Sequence, residues 1–359
     1  MIRVDAPGYP VLIGAGLADR AGALLPAGGR SFVVTDANVA AAGWADRVAA
    51  SLGGPVATHV VDPGERSKSL GELERLLDAL LEAGIERGDR VVAVGGGVVG
   101  DLAGLAAALV KRGCRLVQVP TSLLAQADAA IGGKTAINTR QGKNLIGAFH
   151  RPEAVLVDLA TLRTLPEREL RAGYAEVVKY GLIGDAPFFA WCEQAAGALL
   201  AGDEAARRHA ITTSVRAKAA AVAADERDAN GERALLNFGH SFGHAIEAET
   251  GLPHGEAVAT GMALAFRLSA RRGLCAAADA ERVEAHLAAV GLPTRLGRAD
   301  PVRLAARMAQ DKKCRDGRLR LVLARGIGAA FLDDGVDPAG LAAFLAEESH
   351  QPGSRSASG

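Results

Sequence analysis

Along the first half of the chain, apolar and β-branched residues gather in short runs: Val11–Ile13, Ser31–Thr35, Val56–Val61, Arg90–Val94, Arg115–Val119 and Ala154–Leu159. Between several of these runs the apolar positions switch to helical spacing, as at 38–52, 69–84 and 98–111. Alternation of this kind predicts a mostly parallel sheet with helices on its faces, and such sheets bind ligands at the carboxyl ends of their strands. After about residue 160 the pattern changes to Ala/Leu/Glu/Arg-rich stretches of helical spacing that continue to about 311. Arg318–Ala324, Gly326–Gly328 and Ala329–Leu332 then read as a small hairpin. The expected organisation is an α/β domain over 1–160, an all-α domain over 161–346 and a small polar tail, disordered, over 347–359. The two domains are expected to abut with a cleft between them.

Composition narrows the function class. The chain has 359 residues, 49% hydrophobic and 23% charged, which excludes a disordered or collagenous chain. Lys+Arg and Asp+Glu are both 41, so net charge gives no footing for nucleic acid or an anionic membrane, and 4% aromatics leaves little for base stacking. The four cysteines, Cys114, Cys192, Cys275 and Cys314, form no C-x-x-C pair, and a reducing cytosol suits them. The N-terminus lacks the basic and apolar segments of a signal peptide, and the apolar region at 91–110 is broken by Asp101 and glycines. A cytoplasmic protein is the expectation. Only 8 of the 41 basic residues are lysine, so each lysine is a candidate for a place where a compact ammonium is needed.

Five segments could carry chemistry. In VVAVGGGVVGDLAG, Gly95, Gly97 and Gly100 satisfy G-x-G-x-x-G between a strand and a helix, where backbone N–H groups and the helix terminus attract a pyrophosphate. The acid expected about 20 residues on in the ordinary dinucleotide fingerprint is missing, and Asp36, after the strand Ser31–Thr35, is the substitute candidate for a ribose. PGERSKSL, with Gly64, Glu65 and Lys68, reads by itself as a helix-capping region near Ser67 or Ser69. PTSLLAQADAAIGGKTAINTRQGKNLIGAFH places Asp128, Lys134, Asn138, Lys143 and Asn144 among glycines in what reads as a long polar loop, suited to capturing phosphate or hydroxyl oxygens. His240, His244 and His254 fall close together, with His240 and His244 on one helix face. Two of these histidines and a carboxylate such as Glu176 or Glu256 would make a catalytic zinc site, and the residues alone leave that choice open. Glu176 and Lys179, i,i+3 on a helix, read by themselves as a surface ion pair.

Taken together, GGGVVGD, PTSLLAQADAAIGGKTAIN, GKNLIGAF, LPERELRAGYAEVVKYG, DERDANGERALLNFGHSFGHAIE, HGEAVATGM and DKKCRDGRLRLVL resemble, in order and over nearly the whole chain, the 3-dehydroquinate synthases of the sugar-phosphate cyclase superfamily. The resemblance implies an N-terminal α/β nucleotide-binding (Rossmann-like) domain and an all-α C-terminal metal-binding domain. It implies one NAD, one divalent metal (Zn²⁺, or Co²⁺) and a homodimer. The implied reaction converts 3-deoxy-D-arabino-heptulosonate 7-phosphate to 3-dehydroquinate and phosphate by transient oxidation at C5, phosphate elimination, re-reduction and intramolecular aldol closure. That step belongs to the shikimate pathway, toward chorismate and the aromatic amino acids.

Residue by residue, the resemblance implies Glu176, His240 and His254 as metal ligands, with His244 a catalytic group. NAD contacts are implied at Asp36, Asn38, Gly64, Glu65, Lys68, Gly96, Gly97, Val98, Val99, Gly100, Asp101, Thr121, Ser122, Lys134, Lys143, Thr161, Leu162, Arg163 and Thr164. Substrate contacts are implied at Asp128, Lys134, Asn144, Lys179, Lys218, Arg233, Asn237, His244 and one of Lys312 or Lys313, with Arg112 reaching the substrate phosphate from the neighbouring subunit. The alternatives are another sugar-phosphate cyclase, of the amino-dehydroquinate or sedoheptulose 7-phosphate type, and a metal-dependent polyol dehydrogenase, which would yield net NADH.

Overall fold

The structure, a computed structural model, describes residues 1–54, 56–225, 232–310, 314–315 and 318–350. The chain divides into two compact units, Met1–Gly173 with Ala201–Ala229, and Tyr174–Leu200 with Asn230–Gly359.

The first unit holds β1 (Ile2–Ala6), β2 (Tyr9–Gly14), β3 (Ser31–Asp36), β4 (Val56–Val61), β5 (Arg90–Gly95), β6 (Arg115–Pro120) and β9 (Ala154–Asp158) in one sheet of order β1-β2-β9-β6-β5-β3-β4. All pairs are parallel except β1 with β2. Central strands are covered on both faces, and this is why they read as unbroken apolar runs. On β5, Val91 and Ala93 enter one core with Leu76 and Leu102, while Val92 and Val94 enter the opposite core with Trp44 and Val48. The helices supplying those cores are α1 (Ala21–Leu24), α2 (Ala37–Ala41), α3 (Trp44–Leu52), α4 (Leu70–Glu82) and α5 (Gly97–Leu109). The single helix expected over 38–52 is two, because Gly43 takes φ +78° and ends the first.

Three expectations need correction. The segment 120–150 is not a loop: it contains a π-helical turn, Ala125–Ala129, and the hairpin β7 (Lys134–Thr139) with β8 (Gly142–Phe149). Strand β8 is exposed along most of its length, so it lacks the in–out alternation that marks a strand in sequence. Residues 161–173 and the helix α8 (Glu204–Ala224) belong with the first unit, not the second. The polar tail begins later than 347, because α13 (Pro338–Ser349), capped by Asp337, extends through Ser349; residues 351–359 lie outside the described residues.

The second unit is largely helical, with a small three-stranded sheet of β10 (Cys314–Arg315), β11 (Arg318–Ala324) and β12 (Ala330–Val336). Its helices are the part of α6 (Glu167–Gly184) from Tyr174 onward, α7 (Ala186–Ala201) to Leu200, α9 (His240–Thr250), α10 (His254–Arg271), α11 (Ala277–Ala289), α12 (Pro301–Gln310) and α13. Helix α10 is buried from Ala257 through Phe266, and α9 packs on it through glycines. A Cβ at Gly261 would strike the Gly239 carbonyl, and one at Gly243 would meet the Val258 backbone at 3.0 Å. This close approach brings the ends of α9 and α10 that carry the histidines together. No helix among the described residues is long and apolar enough to cross a membrane.

Candidate metal centre and nucleotide site

In the second unit, Glu176 of α6, His240 of α9 and His254 of α10 converge. The Nε2 atoms of His240 and His254 lie 3.4 and 3.5 Å from Glu176 Oε1. A tetrahedral ion with bonds of about 2.0–2.1 Å sets its ligand atoms about 3.3 Å apart, so a zinc ion fits with little movement. Nδ1 of His240 faces the Phe238 carbonyl at 3.1 Å, and Nδ1 of His254 faces Glu247 Oε2 at 3.3 Å. Each outer acceptor fixes a tautomer with the proton on Nδ1 and leaves the Nε2 lone pair for a cation.

Buried charge is concentrated in this cluster, where Glu176 and Glu247 face Lys179 and the histidines. Glu176 is 1% exposed, and its oxygens face the Lys179 ammonium and the Nε2 atoms of His240 and His254. Burial alone would raise its pKa, but Lys179, then His240, and His254 by hydrogen bonding, hold the carboxyl well below the usual range. The Lys179 ammonium pairs with Oε2, leaving Oε1 to the histidines. That pair is therefore an interior one, not the surface pair that its spacing suggests. Burial disfavours charge on His254, yet Glu176 and Glu247 outweigh it and raise its pKa to about 9. The donor set thus suits a divalent cation, which would replace a bound proton.

Glu256 does not join this group, and neither does His244. The His244 ring stands 5.4 Å from that of His240 and 5.8 Å from that of His254. Arg233 is buried in the 3₁₀ turn Glu232–Asn237 that leads into α9. Lys312 and Lys313 lie outside the described residues. The sequence reading missed Glu247, which sits one helical turn past His244 in HAIE.

In the first unit, the candidate residues gather at the carboxyl ends of the strands. Gly96 caps α5 with no side-chain hydrogen bond, so the first N–H groups of the helix, at Gly97 to Val99, are open to an anion. The glycines divide by purpose. A Cβ at Gly95 would strike Val99, and one at Gly100 would come within 2.8 Å of Gln118 Oε1, so packing requires both. A Cβ at Gly96 would meet only Ser122, at 3.5 Å, so the fold itself does not exclude a side chain there, whereas a bound pyrophosphate would.

Asp36 ends β3 and caps α2, its Oδ1 accepting from the N–H of Asn38 at 2.9 Å and of Val39 at 3.1 Å. Lys68, 5% exposed, donates to Asp101 Oδ2 at 2.7 Å and Asn144 Oδ1 at 2.6 Å. Burial raises the pKa of Asp101, and Lys68 offsets this only in part. Asn138 closes the cluster, donating to Glu65 Oε1 at 2.7 Å and accepting from the Asn144 N–H at 3.0 Å. Lys143 Nζ lies 3.8 Å from Glu65. The expected cap of α4 is Ser69, which accepts from the Glu72 N–H; Ser67 instead donates to the Asp62 carbonyl.

Lys218 of α8 donates to the Asp128 carbonyl at 2.7 Å and pairs with its carboxylate at 3.0 Å. Thr121 and Ser122 follow β6, Thr161–Thr164 follow β9, and Lys134 opens β7 at the surface. Arg112 is exposed in a left-handed turn, with φ +64° after Lys111 at φ +52°. Arg87 Nε braces that turn by donating to the Lys111 carbonyl at 2.8 Å.

The family model for the N-terminal part of 3-dehydroquinate synthase matches residues 58–172, and that for its C-terminal part matches residues 173–314. A 3-dehydroquinate synthase of Nitrobacter winogradskyi is 56% identical over 95% of this chain and 93% of its own. The chain belongs to the 3-dehydroquinate synthase family. The chain is also similar to solved structures of other enzymes. A 2-epi-5-epi-valiolone synthase of Streptomyces hygroscopicus with NAD⁺ and Zn²⁺ bound is 32% identical, with a TM-score of 0.87 over 97% of this chain and 99% of that one. A 2-deoxy-scyllo-inosose synthase complexed with carbaglucose-6-phosphate, NAD⁺ and Co²⁺ is 25% identical, with a TM-score of 0.81 over 95% of this chain and 97% of that one.

Proposed function

We propose that this protein is a 3-dehydroquinate synthase, acting on 3-deoxy-D-arabino-heptulosonate 7-phosphate in the shikimate pathway and releasing 3-dehydroquinate and phosphate. The 56% identity to a 3-dehydroquinate synthase across nearly the whole chain carries this reading, with the Glu176–His240–His254 cluster intact. The other cyclases reported above share far less sequence, at 32% and 25%. When bound, NAD supplies reversible hydride exchange at the substrate's C5, and zinc or cobalt supplies Lewis acidity toward its hydroxyl oxygens.

The chain's own residues divide the remaining work. Glu176, His240 and His254 hold the metal, and Lys179 keeps Glu176 ionised by pairing with its second oxygen. The N–H groups at the start of α5, with Gly64–Lys68, Asp101, Thr121, Ser122, Lys134, Lys143 and Thr161–Thr164, bind the dinucleotide, and Asp36 and Asn38 bind a ribose. Asp128, Lys134, Asn144, Lys218, Arg233 and Asn237, with Lys312 or Lys313, bind the substrate. Lys134, Lys179 and His244 stabilise oxyanion charge as it develops next to the oxidised carbon. The substrate's own phosphate takes the part of the base for the adjacent proton. The protein acts as a cytoplasmic homodimer in which Arg112 reaches the substrate phosphate of the partner subunit.

Phosphate release from the heptulosonate phosphate, with the carbocycle identified by mass and NMR, tests the proposal. Equal amounts of phosphate and 3-dehydroquinate with no net NADH are expected. Release only from sedoheptulose 7-phosphate or an amino analogue, or net NADH from a polyol, would replace it.

A further inference from the structure

The turns proposed to contact NAD are tied together by a side chain that the proposed function leaves unused. Gln126 lies in the π-helical turn Ala125–Ala129 and is 0% exposed. The two hydrogens of its Nε2 are shared among three acceptors: the Pro120 carbonyl at 3.0 Å, the Asp158 carbonyl at 3.0 Å and Thr161 Oγ1 at 2.9 Å. Pro120 ends β6 and Asp158 ends β9, which are neighbours in the sheet. The Gln126 backbone N–H donates to the Ser122 carbonyl at 2.9 Å. One residue therefore holds the turn after β6 and the turn after β9 in a single arrangement.

The chain of bonds continues outward. Thr161 Oγ1 donates to the Asp158 carbonyl at 2.8 Å, so it meets Gln126 as an acceptor. Thr164 Oγ1 donates to the Thr161 carbonyl at 3.1 Å and accepts from Trp44 Nε1 at 2.7 Å. The end of β9 is itself fixed, because the Asp158 carboxylate accepts N–H bonds from Gly16, Ala18 and Ala160 at 3.0, 2.9 and 2.9 Å.

The choice of amide is informative. Gln126 Oε1 is buried with no hydrogen-bond partner, and the three acceptors around Nε2 fix which end of the amide faces them. A residue present only to fill space would avoid an orphaned buried oxygen, and leucine would fill about the same volume. π-turns inside helices gather at functional sites, which is consistent with a positional role.

We propose that Gln126 is a positioning residue for the dinucleotide, setting Thr121–Ser122 and Thr161–Thr164 at the spacing that NAD requires. This rests on the reading of those turns as NAD contacts. The test is NAD titration by calorimetry on the full-length, metal-loaded protein and on Gln126→Leu. The dissociation constant is expected to rise about tenfold, the effect of one or two buried hydrogen bonds, while kcat at saturating NAD stays within about twofold and metal content is unchanged. Trp44→Phe cuts the chain at its outer end and is expected to weaken NAD about two- to threefold. Unchanged NAD affinity in Gln126→Leu with a lowered Tm would make Gln126 a core residue and overturn the proposal. If Gln126→Leu does not fold, Trp44→Phe decides alone, and an unchanged dissociation constant there overturns it. Failure of the unsubstituted protein to bind NAD is a separate result, which defeats the cofactor reading itself.

Discussion

The two units treat buried charge in opposite ways. In the α/β unit, the candidate residues largely satisfy one another: Lys68 with Asp101 and Asn144, Glu65 with Asn138, Lys218 with Asp128. In the helical unit, Glu176 sits in the interior with Lys179 on one oxygen and two histidines on the other, and His254 is driven toward protonation. The first site is complete as a protein structure and adds a ligand to open N–H groups. The second gathers charged and metal-ligating groups at one point, where a cation would replace the proton on His254. The difference teaches where each ligand should matter: metal for the integrity of its own site, NAD mainly for turnover.

The sharpest way to break the comparison is Glu176→Gln. It removes the carboxylate charge that Lys179, His240 and His254 share, and the buried ammonium of Lys179 loses its counter-charge there. Loss of stoichiometric metal by elemental analysis and a fall in kcat/KM of about a thousandfold or more are expected. Next is Lys179→Met, which strips Glu176 of the first cause of its lowered pKa. Breaking a buried pair costs about 3–5 kcal/mol, to be read as lost unfolding free energy of the metal-free protein in urea. The sign of the pH dependence follows. A carboxyl held below its unfolded pKa of 4.5 gives stability above that value that is lost as pH falls, and Lys179→Met should flatten that acid limb.

On the α/β side, Lys68→Met should weaken NAD about tenfold or more by calorimetry while metal content stays at one per chain. Arg112→Ala should raise KM for the sugar phosphate about tenfold and leave NAD and metal binding unchanged, because Arg112 is exposed and is neither among the proposed NAD contacts nor in the metal-ligand group. The smallest effect is expected at His286, buried and within 2.9 Å of the Tyr174 hydroxyl. Burial lowers its pKa below 6.5, so its contribution to stability is complete above pH 6.5 and falls as the medium acidifies. His286→Gln should shallow that slope in urea unfolding measured across the acid range.

How much could be read from sequence also divides by region. Strands β3, β4, β5, β6 and β9 were legible to within a residue or two, because short β-branched and apolar runs bounded by turn residues mark them, and the central ones among them need no alternation. Strand β8 was not, because Gly142–Phe149 buries neither face and so carries neither pattern. Helix α8 was legible as a helix, but the unit it joins is decided by its packing on β1 and on the Ala125–Ala129 turn, which spacing does not encode. The three histidines announced themselves by proximity. The choice between Glu176 and Glu256 could not be made from residue types, since it depends on how α6 packs near α9 and α10. Glu247 and Gln126 were overlooked because each stands beside more conspicuous polar residues, His244 and Asp128, although the glutamine in SLLAQADAA is itself a signal.

The most direct test of the central claim is a zinc titration of chelator-stripped, NAD-loaded protein, following thermal unfolding and phosphate release from the heptulosonate phosphate together. The account predicts that one equivalent of zinc per chain raises Tm and restores phosphate and 3-dehydroquinate formation in step, both ending at the same equivalence point. Phosphate release at full rate from metal-free protein, or saturation of zinc binding with Glu176→Gln as tightly as without it, would contradict it.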